Sequence, residues 1–482
     1  MSDFYRAERP LIRNFSIAAA GLTYFVGLTL IPFNGVPGPA VLGEMRNELS
    51  VIPFALSIVL CVPTLKNHVA RPAARTLILI AFAALCFVML SLIGNIDSIV
   101  NGSFHDRGGL IKFVTTASVI AYGFLLAGCT LLVIADDDSL VARGVYVSTV
   151  VAAIYCVFEF AALHGIGSGP FHMIDDVVHG GFSDTVLPWN GASNLKVTEA
   201  WDSRLRSVCF EPPAFGNYCG FAYPWIAYGA LRTDGRERVF ALLFLVIFSI
   251  LIIAAQARTG WMMLGATVAT MVILRFVYLP AATSPALSVC RLFIPPLILV
   301  TLFSVFMLGA YDYQRIVEGV IAGTSTSNLS RLAAQVAALK MFADHPLFGV
   351  GLGQFAFYEG EYLPTWGYLS DELWPSLVYP EAPWPAVYSI YPRIAAECGI
   401  GAVLAWVFLW GVLLAKIVGA GRALARRNMV NTMCYPTAST CICVLVSGAT
   451  TDTFRTPMVW IGLATALRYL EIANRRVRSS PI

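Results

Sequence analysis

The chain has 482 residues, of which 57% are hydrophobic and only 13% charged, and 32 Lys and Arg against 29 Asp and Glu leave a formal net charge of +3. With a mean hydropathy of +0.72, it carries more apolar material than a soluble domain can bury. The composition excludes an ordinary soluble enzyme, points to an all-α integral membrane protein, and contains nothing that suggests nucleic-acid binding.

A hydrocarbon core about 30 Å thick takes roughly 20 apolar residues per helix. About twelve such runs occur, near residues 14–33, 49–65, 76–94, 111–134, 144–163, 212–231, 239–257, 260–279, 290–311, 395–415, 431–449 and 456–473. No A-x-A-like cleavage site follows the first run, so that helix is expected to stay in the membrane. The eleven cysteines scatter mostly within the apolar runs and give no disulfide framework. The expected organisation is nine helices over 1–311 with a loop near 164–211, a large loop over 312–394 with a surface helix, and three more helices with a basic tail over 395–482.

Lys and Arg in the connecting segments set the orientation. One set of connections is short yet holds 20 of the 32 basic residues, among them Arg71, Arg75, Arg143, Arg236, Arg422 and Arg476. The opposite set holds the other 12, about 20 of the 29 acidic residues, and both long segments. Both termini are therefore expected in the cytoplasm, and the long segments in the periplasm of a bacterial inner membrane. ATP is absent there. The chain shows no phosphate-cradling G-x-x-x-x-G-K motif and no Cys/His cluster at zinc spacing. Chemistry on that side must use an already activated substrate, such as a lipid-linked sugar diphosphate, and nothing visible requires a metal or cofactor.

In chain order, Glu159 is the one clear carboxylate in the middle of an apolar run, and His164, His172 and His179 open the first long loop without forming a pattern. Next comes "RLRSVCFEPPAFGNYCG", in which Arg204, Arg206 and Glu211 precede a Pro-Pro step suited to a helix start. The arginines either snorkel at the interface or meet a substrate. In "AAQARTGW", Arg258 interrupts a hydrophobic hairpin with almost no loop to carry it into water, so it must find a partner at membrane depth. A guanidinium is a planar, permanently charged fork suited to phosphate, and a carboxylate such as Glu211 is the other choice.

In "SRLAAQVAALKMFADHPLFGVGLGQF", a helical pattern runs through Leu332, Val336, Leu339 and Met341 with Ser330 as an N-cap, until Asp344-His345-Pro346 stops it. It reads as an amphipathic helix on the outer surface. Arg331 sits in its first turn, where a cation opposes the helix dipole, so it reads as placed there for an anion. The glycines that follow allow tight turning. Last comes the aromatic, proline-rich segment "YLPTWGYLSDELWPSLVYPEAPWP", whose rings either form an interfacial belt or stack on sugars. Behind it, "WPAVYSIYPRIAAECGIGAV" holds Tyr388, Ser389, Tyr391, Arg393 and Glu397.

Taken in this order over residues 200–410, these stretches resemble the O-antigen ligase and polymerase superfamily of bacterial glycan enzymes. The likeness is strongest from Arg331 to Phe355, where the family carries an arginine, a short amphipathic helix and a P-L-x-G-x-G turn. "QARTG" around Arg258 is similar to the family's SRTG-like step. The resemblance implies that Arg258 and Arg331 hold the donor's diphosphate. It also implies an undecaprenyl-diphosphate-linked oligosaccharide as substrate, membrane lipid as surroundings, and a chain-length regulator protein as partner.

The ligase branch carries a His-Asn pair where Tyr388-Ser389 stand here. A tyrosine with a pKa near 10 is a poor base at neutral pH. The S-x-Y-x-R-x-x-A-E-x-G pattern formed by Ser389, Tyr391, Arg393, Ala396, Glu397 and Gly399 looks more like the polymerase branch. The sequence reading is thus a metal-independent glycan polymerase. Arg258, Arg331 and Glu397 are the candidate catalytic residues. Arg206, Glu211, Tyr388, Ser389, Tyr391, Arg393 and His345 are candidate substrate contacts. The alternatives are an O-antigen ligase or protein O-oligosaccharyltransferase and, from another class, a polysaccharide transporter or flippase. No repeated halves of the transporter kind are visible.

Overall fold

The computed structural model describes residues 2–36, 38, 40–65, 69–135, 139–186, 204–232, 234–274, 326–370, 373–380, 384–427, 429 and 432–479. The apolar run near 290–311, the end of the run at 260–279, the first part of the large loop and residues 187–203 lie outside the described residues.

The helices are α1 Ser2–Thr29, α2 Val51–Cys61, α3 Pro72–Gly94, α4 Ile96–Asn101, α5 Gly109–Val133, α6 Leu140–Leu163, α7 Ser168–Val186 and α8 Pro212–Arg232. They continue with α9 Gly235–Ala254, α10 Arg258–Ile273, α11 Thr326–Asp344, α12 Phe355–Tyr362, α13 Leu373–Val378, α14 Ile390–Ala425, α15 Cys434–Ser447 and α16 Pro457–Ser479. Between α4 and α5 stands one tight hairpin, β1 Ser103–Phe104 with β2 Arg107–Gly108. Each apolar run within the described residues falls on a helix. Prolines open α3, α8 and α16, where the missing N–H costs nothing. The run at 49–65 is shorter than expected: α2 ends at Cys61 and a 3-10 turn, Val62–Thr64, carries Pro63.

Among the described residues, five helices, α3, α5, α6, α9 and α14, are long and apolar enough to cross a membrane. The protein is an all-α, multi-pass membrane protein. Packing runs in a closed circuit: α2 on α1, α1 on α6, α6 on α8, α8 on α10, α10 on α15, α15 on α16, α16 on α5 and α5 back on α2. α3 lies outside, along α14 and α16. It turns Leu79, Phe82 and Ile93 outward, each well over half exposed, a face that suits lipid and not water.

One polar cluster is buried inside this frame. Glu159 on α6 accepts from the backbone N–H groups of Arg206 (3.2 Å) and Ser207 (2.9 Å). The Arg206 side chain, 1% exposed, donates to Asp175 on α7 at 2.6 Å. His179 spans Asp175 and the Cys209 carbonyl, 2.9 Å from each. Burial alone would raise the Asp175 carboxyl, but His179 and Arg206 outweigh it and hold it below the usual carboxylate range. Glu159, the mid-helix carboxylate, thus fixes the backbone where the chain enters α8. α7 shows Ile174 and Val177 on its outer side, 57% and 72% exposed.

Candidate active site

The glycine-rich turn after α11 is there to receive a broken helix. α14 breaks at Gly399, where φ is 77° and ψ −177°, and the break frees carbonyls of the turn before it. Val350 N–H bonds the Ala396 carbonyl (2.7 Å) and Gly351 N–H the Glu397 carbonyl (3.1 Å), while Ile400 N–H reaches the Pro346 carbonyl (2.9 Å). Ser91 on α3 adds a bond from its Oγ to the Glu397 carbonyl at 2.9 Å and accepts from Leu352 N–H. The orphaned groups of a buried helix end are thereby paired. A side chain at Gly349 (φ 66°) would overlap the Ala396 carbonyl. "PLFGVGLG" and "AECGIG" are two halves of one joint.

That joint positions the first helical turns of α14. Arg393 donates to Glu397 one turn on, Nε to Oε1 3.3 Å, and to the Asp452 carbonyl. Glu397 is 2% exposed, and its Oε2 finds no hydrogen-bond partner among the described residues. Asp452 accepts from Val387 N–H at 2.6 Å. Ser389 Oγ donates to the Gly448 carbonyl at 3.0 Å, and the Tyr391 hydroxyl to the Leu445 carbonyl. Both hydroxyls therefore anchor α14 to the end of α15.

Tyr388 has a positive φ of 60°, and the Arg331 guanidinium lies 5.6 Å from its ring centroid. Arg331 Nε meets no hydrogen-bond partner among the described residues. Arg258 is the first residue of α10, and its neighbour Thr259 donates to Thr450 at 2.9 Å, in the same connection that carries Gly448 and Asp452. Arg258 and Arg331, Tyr388, Ser389, Tyr391, Arg393 and Glu397 are thus tied to one end of the bundle through the α15–α16 connection and α14. Arg206 instead belongs to the α6–α7 cluster. Glu211 caps the entrance of α8 with its carbonyl, which accepts from Phe215 N–H at 3.1 Å. His345 is exposed at the end of α11, its carbonyl accepting from Gly349 N–H.

Two details of α11 differ from the sequence reading. The helix starts at Thr326, so Ser330 is not its N-cap; its hydroxyl meets Ser370 at 2.6 Å, and Arg331 lies in the second turn. The buried face is Ala333, Ala334, Ala337, Ala338 and Met341, while Leu332 and Leu339 are more than half exposed. Alanines win the inner face because α11 packs closely along α14, and larger side chains would hold the helices apart.

Residues not singled out in the sequence complete this end. Lys112, 6% exposed at the start of α5, is paired with Glu44 and lies 4.5 Å from the Trp384 ring centroid. Burial would raise the Glu44 carboxyl, but the Lys112 pair overrides it and holds it below the usual range. A lysine within a membrane-length apolar helix was the available signal. Beneath α11, Glu359 on α12 is fully buried, and neither carboxylate oxygen has a hydrogen-bond partner among the described residues. Burial pushes its carboxyl up to about 8 from 4.5.

Glu359 makes stability depend on pH. Between about pH 4.5 and 8 the unfolded chain has lost this proton and the folded one keeps it, so stability falls as pH rises across that window, by up to about 5 kcal/mol. Glu359→Gln is expected to flatten the decline. Thermal unfolding of both proteins from pH 5 to 8 measures it, and parallel curves would remove Glu359 as the cause.

Residues 243–407 match the model of the family described as O-antigen ligase. That segment, about a third of the chain, is similar to the O-antigen ligase family and supports a place in the O-antigen ligase and polymerase superfamily. The match spans Arg258, Arg331, the glycine-rich turn and the break at Gly399, whereas Glu44, Lys112, Arg206, Glu211 and Asp452 lie outside it. No curated protein matches the chain. The match supports a glycosyltransferase-like activity, of ligase or polymerase type, on a lipid-linked glycan.

Proposed function

We propose that the protein polymerises undecaprenyl-diphosphate-linked repeat units at the periplasmic face of the bacterial inner membrane, with both termini in the cytoplasm. The growing chain leaves its carrier diphosphate and joins a hydroxyl at the non-reducing end of a new lipid-linked repeat. The bond broken is between the anomeric carbon and the diphosphate oxygen, and the hydroxyl proton leaves late. An inverting single displacement is the simplest course. A good leaving group is already present, so the protein's work is to position the hydroxyl and to meet the developing diphosphate charge with fixed cations.

The observation that carries this reading is Arg331 stacked over Tyr388, with its Nε unspent among the described residues. The tyrosine stands where the ligase branch has its histidine, and its ring serves as a platform for a phosphate-binding fork. That favours the polymerase over the ligase. Arg258 is the second diphosphate ligand in this reading. Arg393 and Glu397, locked to each other and to the Asp452 backbone, shape the acceptor side. A chain-length regulator acts as partner.

Deleting the gene in its host and resolving the surface glycan tests it. Lipid A core carrying a single repeat is the expected result. Bare core, with long glycan accumulating on the carrier lipid, would make the protein a ligase.

A further inference from the structure

The aromatic segment before Tyr388 left open whether its rings form a membrane belt or meet sugars. For Trp384 the surroundings decide. Its ring meets Phe104 edge-on at 5.4 Å with an interplanar angle of 89°, and Phe357, tilted by 59°, at 5.8 Å. Two cations face it from separate elements: Lys112 Nζ at 4.5 Å and Arg107 Cζ at 5.3 Å from the ring centroid. An interfacial belt leaves its rings among lipid headgroups. Trp384 is instead walled by a hairpin and a helix start.

The wall is rigid. His105 and Asp106 form the hairpin turn with φ of 46° and 61°, the pattern of a two-residue turn matched to strand twist. The His105 ring Nε2 donates to the Ser376 carbonyl at 2.8 Å. The Gln354 amide, from the glycine-rich turn, donates to the Gly109 carbonyl at 2.9 Å. The hairpin region and the large loop are thus stitched together at two points.

The two cations differ. Lys112 is buried and already paired with Glu44. Arg107 is exposed and forms no ion pair among the described residues. It lies over the indole, held by a cation–π contact worth little at an exposed site, and can swing to hydrogen-bond a ligand without breaking an ion pair among the described residues. An indole with a guanidinium and an ammonium over its ring, the ammonium holding a carboxylate beside it, offers what a pyranose needs. The apolar C–H face of the sugar lies on the ring, and its hydroxyls reach both donors and an acceptor.

We infer that Trp384, with Arg107, Lys112 and Glu44, is a saccharide subsite that holds the non-reducing sugar of the acceptor repeat. The inference rests on the polymerase reading for the identity of that sugar. Continuity with the candidate active site supports it: Glu44 lies within electrostatic reach of Arg393, and Arg455 Nη1 donates to the Glu44 carbonyl at 2.7 Å. Trp384 itself is three residues before Val387, which is bonded to Asp452.

The test uses the full-length protein in lipid nanodiscs, with the host's repeat-unit oligosaccharide freed from its lipid as the probe, followed by saturation-transfer NMR. Wild type and Arg258→Ala are expected to bind it, and Trp384→Ala to weaken binding by at least about tenfold. In a chain-extension assay, Trp384→Ala should raise the acceptor KM with little change in kcat. Binding by Trp384→Ala equal to wild type overturns the subsite. If that variant loses its thermal transition, Arg107→Ala decides, since its side chain is exposed: weaker binding supports the subsite and unchanged binding overturns it. A wild-type protein that binds the oligosaccharide through Trp384 yet makes no polymer keeps the subsite and fails the polymerase reading alone.

Discussion

Arg331→Ala is expected to remove polymer and leave single repeats, and Arg258→Ala to do the same. Each guanidinium is assigned to the diphosphate as it takes up charge, and the loss of one fixed donor to such a charge slows the chemical step roughly 10²- to 10³-fold. A polymer ladder needs many successive transfers, so a slowdown of that size collapses it. Arg331→Lys should recover short ladders only. It restores the charge but neither the planar fork nor the stacking on Tyr388, whose ring lies 5.6 Å from the guanidinium carbon. The ladder from cells expressing each variant, with membrane levels matched by immunoblot, is the measurement. Wild-type chain lengths from a membrane-inserted Arg331→Ala protein would end its assignment to the diphosphate.

Gly399→Ala is expected to cost the protein its fold at this end rather than a contact. With φ 77° and ψ −177°, Gly399 occupies a backbone region that is essentially closed to other residues. A Cβ there would also overlap the Leu347 carbonyl. Strain and overlap together should cost at least about 3 kcal/mol, and relief would have to come from opening the joint that pairs Val350 and Gly351 with the Ala396 and Glu397 carbonyls. Gly229→Ala, inside α8 with open space around the new methyl, serves as the control. Thermal unfolding in detergent compares the two. Equal transitions for Gly399→Ala and wild type would mean that the helix break is not fixed by this residue.

Both expectations come from positions that were readable in the sequence, but for different reasons. The apolar runs declared their helices because length and hydrophobicity are local properties, and each run within the described residues lies on one. Arg258 drew notice because a charge in a hydrophobic hairpin must be paid for. The glycine-rich turn was legible as a turn. Its purpose was not, because its partner is a break in a helix some fifty residues further along, and no periodicity links a donor at Val350 to a carbonyl at Ala396.

The same limit separates the remaining residues. Glu159 reads as a mid-membrane carboxylate, a transporter-like feature, until the fold brings the backbone of Arg206 and Ser207 to it. Ser330 reads as a cap until the structure starts the helix a turn earlier and gives its hydroxyl to Ser370. Trp384 could not be told from a belt residue until Arg107 and Lys112 were placed against it. By itself, then, the sequence determined the membrane-embedded, all-helical class, the turn at Gly349 to Gly353 and the arginines worth testing, since each follows from residue type and near neighbours. Only the tertiary structure decided which charges pair, which helix breaks and which ring meets which cation, because those depend on segments brought together from tens to hundreds of residues apart.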